Sequence, residues 1–439
     1  MSEAKIVDTS AEHATRLDGD DPLAHLRREF ALPPGTDGEP KIYLVGNSLG
    51  ARPVAAADYV QAELDRWATL GVDGHFTGTG PGRDDLAWEP YHELLTEQLA
   101  AIVGAGTDEV VAMNALTVNL HLLMISFYRP TAERHKILIE EHAFPSDHFA
   151  VESQIRQRGF DPAASLVVAS PRAGEETLRH EDLLQLIETN GSELALILLP
   201  GVQYYTGQVL PMAEITAAGH AVGAAVGFDL AHAVGNVELS LHDWGVDFAA
   251  WCSYKYLNAG PGGVGGAYVH ADHIADPTVP KFLGWWGTNK STRFEMATDF
   301  DPIPTVESWQ LSNAPVLAMA ALRASLDVID KAGGVPALRR KSEAQIAYLD
   351  GLLDAVLGDR IESITPTELD RRGCQFALRV TTPGIDGRAV HQRLEEADVA
   401  CDWRYPDVIR VAPVPLYNSF TDIHRFVHIL DRILDEVGT

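Results

Sequence analysis

The run Trp251-Cys252-Ser253-Tyr254-Lys255-Tyr256-Leu257-Asn258 carries the most reactive candidate of the chain, Lys255. It follows an apolar segment, Val246 to Cys252, whose one charge is Asp247, and it opens a glycine-rich turn, Asn258-Ala259-Gly260-Pro261-Gly262-Gly263. Where a buried strand gives way to such a turn, an amine is held rigidly and partly desolvated. Both conditions favour a neutral, nucleophilic amine. Upstream, Asp229 ends a second apolar run in Phe228-Asp229-Leu230-Ala231-His232. Singly, these residues read as a surface lysine and a helix cap. As a pair on neighbouring strand ends they are what pyridoxal phosphate needs: the amine takes the aldehyde as a Schiff base, and the carboxylate keeps the pyridine nitrogen protonated.

Three other positions fit the same chemistry. Ala115-Leu116-Thr117-Val118-Asn119 opens a helix after a strand-like stretch, and a helix N-terminus with a hydroxyl is an anion site. Thr117 is therefore a phosphate contact or a plain cap. Phe144-Pro145-Ser146-Asp147 follows the apolar run Lys136–Glu140; Phe144 could stack on a flat ring and Asp147 is a second acid for the ring nitrogen, or the segment is simply a turn. Arg410 lies in an apolar strand, where a guanidinium needs a carboxylate partner, from an amino-acid substrate or from a structural salt bridge.

The elements that must position these residues are legible as patterns. Near-continuous apolar runs at Lys136–Glu140, Ser165–Val168, Leu194–Leu199, Ala225–Phe228 and Phe248–Trp251 predict strands covered on both faces. Helical segments such as His180–Glu188 and Met212–Val222 separate them, which predicts an α/β domain with a mainly parallel sheet. Apolar residues at helical spacing, Val54, Ala57, Val60, Leu64 and Trp67, predict a long helix, and a glycine-rich segment follows between Gly71 and Trp88. After about Ala320 a helix over Val316–Ala332 leads into an α+β section with strands at Gln375–Val380 and Val408–Val411. The expected division is an N-terminal arm and short helix (1–45) packing with a small C-terminal domain (326–439), and a large domain (46–325).

The chain has 439 residues and a formal net charge of −28, which argues against nucleic acid or an anionic membrane as partner. Cys252, Cys374 and Cys401 show no metal-ligand spacing and no pairing logic, so no metal is expected and a reducing compartment is. The polar, acidic start has no apolar core of a signal peptide, no run reaches the length of a membrane span, and the expected location is the cytoplasm.

The chain resembles the kynureninases over roughly Ile42 to Phe426 through YLVGNSLG, MNALTVNLHLLM, FPSDHFA, FDLAHAVGNVEL, HDWGVDFA, CSYKYLNAGPGG, GWWG, STRF and RVAPVPLYNSF. The resemblance implies the aspartate-aminotransferase fold (fold type I) with pyridoxal 5'-phosphate on Lys255. Asp229 would bond the pyridine nitrogen with Asp147 nearby, and Phe144 would stack on the ring, with Ser146 beside it. Leu116, Thr117 and Tyr254 would contact the phosphate, and His232 would lie at the cofactor's edge. Trp285 and Asn313 correspond to residues that family dimers give to the neighbouring subunit's site, so a homodimer is implied. Arg410 would hold the substrate α-carboxylate.

The implied reaction is hydrolysis of the Cβ–Cγ bond of L-kynurenine or 3-hydroxy-L-kynurenine to L-alanine and the matching anthranilate, in tryptophan breakdown or as a branch toward NAD. Lys255 would move the α-proton and Tyr254 would supply an acid. His75 and Asn313 match positions that favour the hydroxylated ring in animal enzymes. Thr288 stands where the family commonly has histidine, Pro200 where relatives have a small hydroxyl residue, and Gly78–Arg83 departs from the animal pattern. Another enzyme of the fold is the alternative. A cysteine desulfurase would need a mobile-loop cysteine, an aminotransferase would release a keto acid, and a silent relative would have lost one of Lys255, Asp229, Tyr254 or Arg410.

Overall fold

The computed structural model of the protein describes residues 8–78 and 86–437, so residues 79–83 of the Gly78–Arg83 segment lie outside the described residues. Two compact units emerge: residues 56–203 with 210–326, and residues 1–55 with 204–209 and 327–439.

The larger unit is built on a seven-stranded sheet. Its spatial order is Val110–Ala112, Gly265–Val269, Phe248–Cys252, Ala225–Asp229, Leu194–Pro200, Lys136–Glu140 and Leu166–Ala169. Only Gly265–Val269 runs antiparallel to its two neighbours. The chain order reverses at Lys136–Glu140, and ligand sites of such sheets form at the carboxyl ends of the strands near a reversal. The five strands expected from the sequence are present, each within a residue or two at its ends. Val110–Ala112 and Gly265–Val269 join them.

Glycine is required where large rings cross the sheet. A Cβ on Gly266 would lie 2.2 Å from the Trp251 ring, and one on Gly227 would lie 2.1 Å from the Phe248 ring. Leu120, Leu123, Met124 and Phe127 of the helix Leu116–Phe127 share one buried cluster with Val151, Ile155, Leu196, Phe248 and Ala267. Burial of each such side chain stabilises the unit by about 1.5–3 kcal/mol before the entropy of ordering is subtracted.

The helix expected after Val54 spans Ala56–Leu70, but its apolar stripe is not its buried face. Trp67 is 61% exposed and Val54 48% exposed. Its buried residues are instead Ala56 and Glu63, and the Glu63 carboxylate accepts from Trp88 Nε1 at 2.7 Å and pairs with Arg66. A charged, hydrogen-bonded seam has replaced an apolar one, which hydrophobic spacing does not reveal.

The other unit centres on an antiparallel sheet ordered Ile361–Ser363, Phe376–Val380, Val408–Val411, Asp402–Arg404. Ile42–Tyr43 pairs in parallel with Val399–Ala400. Phe376, Leu378, Ile409 and Val411 pack with Ile42, Leu44, Phe426 and Leu430 in one core. Asp18, at the end of the helix Ala11–Asp20, accepts from the Phe420 and Thr421 backbone N–H groups that open the helix Phe420–Val437, at 2.6 and 3.1 Å. Among the described residues no helix is long and apolar enough to cross a membrane.

One buried carboxylate fastens the strands that carry the site. Asp247 accepts from His273 Nε2 at 2.6 Å, His220 Nε2 at 2.9 Å and Val226 N–H at 2.6 Å. Burial would raise its pKa, but the two histidine bonds hold it down to about 2. A depressed carboxylate adds stability above its unfolded value of 3.8, and that stability is lost as pH falls toward 2. Asp247→Asn should lower unfolding stability at pH 7 by about 2 kcal/mol in urea titrations. The difference from wild type should shrink as pH falls toward 2; an unchanged midpoint at pH 7 would refute this role.

Candidate active site

The carboxyl edge of the large sheet gathers the residues that could do chemistry. The strand Phe248–Cys252 ends in the turn holding Ser253, Tyr254 and Lys255. That turn is closed by Ala259 N–H on Ser253 O at 3.0 Å and Asn258 N–H on Lys255 O at 3.0 Å, with Asn258 at φ 50°. Lys255 is half-buried. Its Nζ lies 2.9 Å from His232 Nε2 and 6.0 Å from the centroid of the exposed Phe144 ring. Nζ donates to Nε2 in the tautomer that carries the His232 ring proton on Nδ1.

Asp229 ends its strand and is buried. Its carboxylate accepts from Ala231 N–H at 2.7 Å, while its backbone is bonded to Gly201 at 2.8 Å. Asp147 lies in the first turn of the helix Pro145–Gln157, which starts with proline at its first position. Asp147 is held well above the usual carboxylate range, first by loss of solvent and then by the charge and hydrogen bond of Asp229. Asp229 thereby favours the protonated form of its neighbour Asp147. A third acid, Glu140, was not singled out by sequence reasoning. It is the buried last residue of Lys136–Glu140 and is pushed up to about 8 by burial, with Asp229's charge adding to the shift.

An anion cradle completes this edge. The helix Leu116–Phe127 begins without a side-chain cap at Ala115, leaving its first N–H groups to another acceptor. Asn119 fixes that N-terminus by donating to Met113 O at 2.9 Å and accepting from Asn114. Thr117 Oγ1 and Ser146 Oγ are 2.7 Å apart, which brings hydroxyls from two helix starts together. A Cβ on Gly265 would sit 2.8 Å from Trp251 O and 3.3 Å from Leu116 N, so the strand beside the cradle needs glycine. The Ser253 hydroxyl, fully buried, has no hydrogen-bond partner among the described residues. Tyr254 is hydrogen-bonded to Cys252, and its phenol is held above the ordinary range, first by burial and then by Cys252. An aromatic face, an amine, a hydrogen-bonded acid pair and a capless helix start fit pyridoxal phosphate.

His75 and Trp285 are joined by rings: His75 to Phe76 at 6.2 Å, Phe76 to Phe294 at 5.0 Å, and Phe294 to Trp285 at 5.4 Å. Trp285 is 49% exposed and donates Nε1–H to Arg293 O at 3.0 Å. Asn313 is exposed, with no side-chain hydrogen bond among the described residues. Thr288 Oγ1 donates to Asp301 O at 3.0 Å, and Pro200 pairs with Asp229 in the sheet.

In the other unit, Arg410 is 1% exposed and has a carboxylate partner within the chain. Nε donates to Asp402 Oδ1 at 2.7 Å and Nη2 to Asp402 Oδ2, while Nη1 reaches Tyr204 O at 2.6 Å. The structural pairing left open by the sequence is thus present. Its signal was the alternation Asp402-Trp403-Arg404 beside the Arg410 strand, which puts both charged residues on one face.

Comparison with known proteins gives a consistent picture. The family described as Kynureninase C-terminal domain matches residues 338–430. A protein of Koribacter versatilis named kynureninase is 54% identical over 97% of this chain and 98% of its own. Kynureninase of Myxococcus xanthus is 51% identical over 98% of this chain and 99% of its own. Among solved structures, the cysteine desulfurase CsdA of Escherichia coli aligns with TM-score 0.74 at 16% identity, over 94% of this chain and 98% of its own. A C-DES mutant with glycine covalently linked to its PLP cofactor aligns with TM-score 0.73 at 19% identity, over 89% and 96%. These structures share the pyridoxal-phosphate fold type I.

The carboxyl group generates its own test. The raised Glu140 keeps its proton when the unfolded chain has lost it, so its contribution to stability is full below 4.5 and is lost as pH rises to about 8. Glu140→Gln removes that slope. Melting temperatures of the cofactor-free protein from pH 5 to 9 should fall less steeply in the variant, which becomes the more stable above pH 8. Parallel curves would contradict the assignment.

Proposed function

The chain belongs to the kynureninase family, and from that premise we propose that it hydrolyses the Cβ–Cγ bond of L-kynurenine, 3-hydroxy-L-kynurenine or both. The products are L-alanine and anthranilate or its 3-hydroxy form. The observation that carries this reading is Lys255, 2.9 Å from His232 and facing Phe144, beside the hydrogen-bonded acids Asp147 and Asp229.

Pyridoxal phosphate, when bound, supplies an electron sink for the negative charge that develops on the substrate's carbon skeleton. In this reading Lys255 would hold its aldehyde, Asp229 backed by Asp147 would hold the ring nitrogen, and Phe144 would cover the ring. Leu116, Thr117, Ser146 and Tyr254 hold the phosphate, and His232 lies at the edge. Lys255 Nζ would take the substrate's α-proton, with His232 keeping Nζ placed for it. The Tyr254 phenol retains its proton at neutral pH and serves as the donor to the leaving carbon. Arg410 holds the substrate α-carboxylate. Water supplies the oxygen and the hydrogen that complete the two products.

We infer a cytoplasmic homodimer in which Trp285 and Asn313 serve the neighbouring subunit's site, in tryptophan breakdown or in supply of NAD precursors. Purified, cofactor-loaded protein given L-kynurenine should release alanine and anthranilate in equal amounts with no keto acid, and light scattering should give twice the chain mass. Lys255→Ala should lower turnover at least about 10³-fold while leaving circular dichroism unchanged. Keto acid in place of anthranilate would move the reading to an aminotransferase.

A further inference from the structure

Arg410 does not meet Asp402 alone. On the antiparallel pair Asp402–Arg404 and Val408–Val411, Asp402 stands opposite Arg410, and Arg404 lies two residues on, on the same face. Arg404 Nη2 donates to Asp402 Oδ2 at 3.1 Å and to Ser48 Oγ at 3.3 Å, and Arg410 Nη2 also reaches Ser48 Oγ at 3.1 Å. Ser48 in turn donates to Asp402 Oδ2. Two guanidiniums thus share one carboxylate, and the group keeps an excess positive charge in a chain whose net charge is −28.

That excess sits where it is costly. Arg410 is 1% exposed, Asp402 16% and Arg404 36%. The Nε–H of Arg404 is buried without an acceptor among the described residues. Arg404 is depressed below its ordinary range, first by burial and then by Arg410's charge. A lone pair of Arg410 and Asp402 would already be neutral, so Arg404 adds nothing to balance. A buried donor and an unmatched charge on the same side chain are both relieved by a second carboxylate.

We propose that Arg404 is a second positioning residue for the substrate α-carboxylate, donating through the N–H groups that Asp402 and Ser48 leave unused. The inference rests on the reading that Arg410 receives that carboxylate. Arg410 is braced on both edges by Asp402 and Tyr204, so it has little freedom to turn toward a ligand. Arg404, more open, carries the adjustable half of the clamp.

The test compares two ligands that differ only in this group: L-kynurenine and kynuramine, its decarboxylated amine. With holoenzyme, Arg404→Gln should raise KM for kynurenine at least about tenfold, a rise exceeding the fall in kcat, while kynuramine binding by equilibrium dialysis stays within about twofold. Arg404→Lys should recover part of the loss, and its thermal unfolding shows whether the fold survives should the glutamine variant fail to fold. Equal weakening of both ligands would make Arg404 a brace for Asp402 only and overturn the proposal, as would an unchanged KM. Arg410→Gln tests the underlying reading separately. If it weakens kynurenine and kynuramine alike, the carboxylate is not held at Arg410, whatever Arg404 does.

Discussion

Carboxyl groups brought together away from water impose the condition to which the large unit is built. Asp147 and Asp229 cannot share a hydrogen bond unless a proton lies between them, and Glu140 stands close enough to feel Asp229's charge. Such an arrangement relaxes apart unless the backbone prevents it. The backbone does so at each point. Asp229 and Glu140 are the last residues of sheet strands, and Asp147 sits in the first turn of a helix whose positive end favours nearby negative charge. Asp229 is held further by bonds from Ala231 and Gly201. The acids therefore stay where a cationic ring nitrogen would need them, and folding rather than the ligand meets the cost of assembling them.

The same edge shows how space and charge are set by one choice of residue. Gly265 lets the antiparallel strand pass beside Leu116 N, and Gly266 leaves room for Trp251. A side chain at either position would push the strand away from the helix start, and the cradle for an anion would open. Trp251 in turn precedes Cys252, whose thiol meets Tyr254. The packing of one indole thus bears on the position of a phenol three residues later, through a rigid strand rather than a direct contact.

Much of this was legible in the sequence. Continuous apolar runs marked five of the seven strands, because both faces of a parallel sheet are covered and nothing polar interrupts them. Asp229 was visible because it ends such a run, and Lys255 because it lies in the turn that follows one. Gly265–Val269 escaped because its two glycines lower strand propensity, although they are there for Trp251 and Leu116. The stripe of the helix Ala56–Leu70 misled because Glu63, Arg66 and Trp88 form a polar seam whose members are distant in sequence. Glu140 read as the charged end of a strand; the charge of Asp229 that acts on it comes from a strand distant in sequence. Arg410 was read correctly as needing a carboxylate. Two sources could supply one, and the pairing of Asp402 opposite it depends on strand register, which apolar pattern leaves free.

Charge gives the last step. A phosphate and an amino acid's carboxylate are both anions, and a chain of net charge −28 repels them at long range. At physiological salt that field is screened within about 8 Å, so capture depends on donors in contact with the anion. The two units supply them differently. The helix start at Leu116 offers backbone N–H groups, whose partial charge neither titrates nor moves. The Arg404 and Arg410 pair offers full charges on side chains, and Asp402 restrains them by cancelling one of the two. Without Asp402 the guanidiniums would repel each other and separate; with a second fixed acid the group would be neutral and indifferent to anions. One carboxylate between two arginines leaves a single positive charge with directed N–H groups.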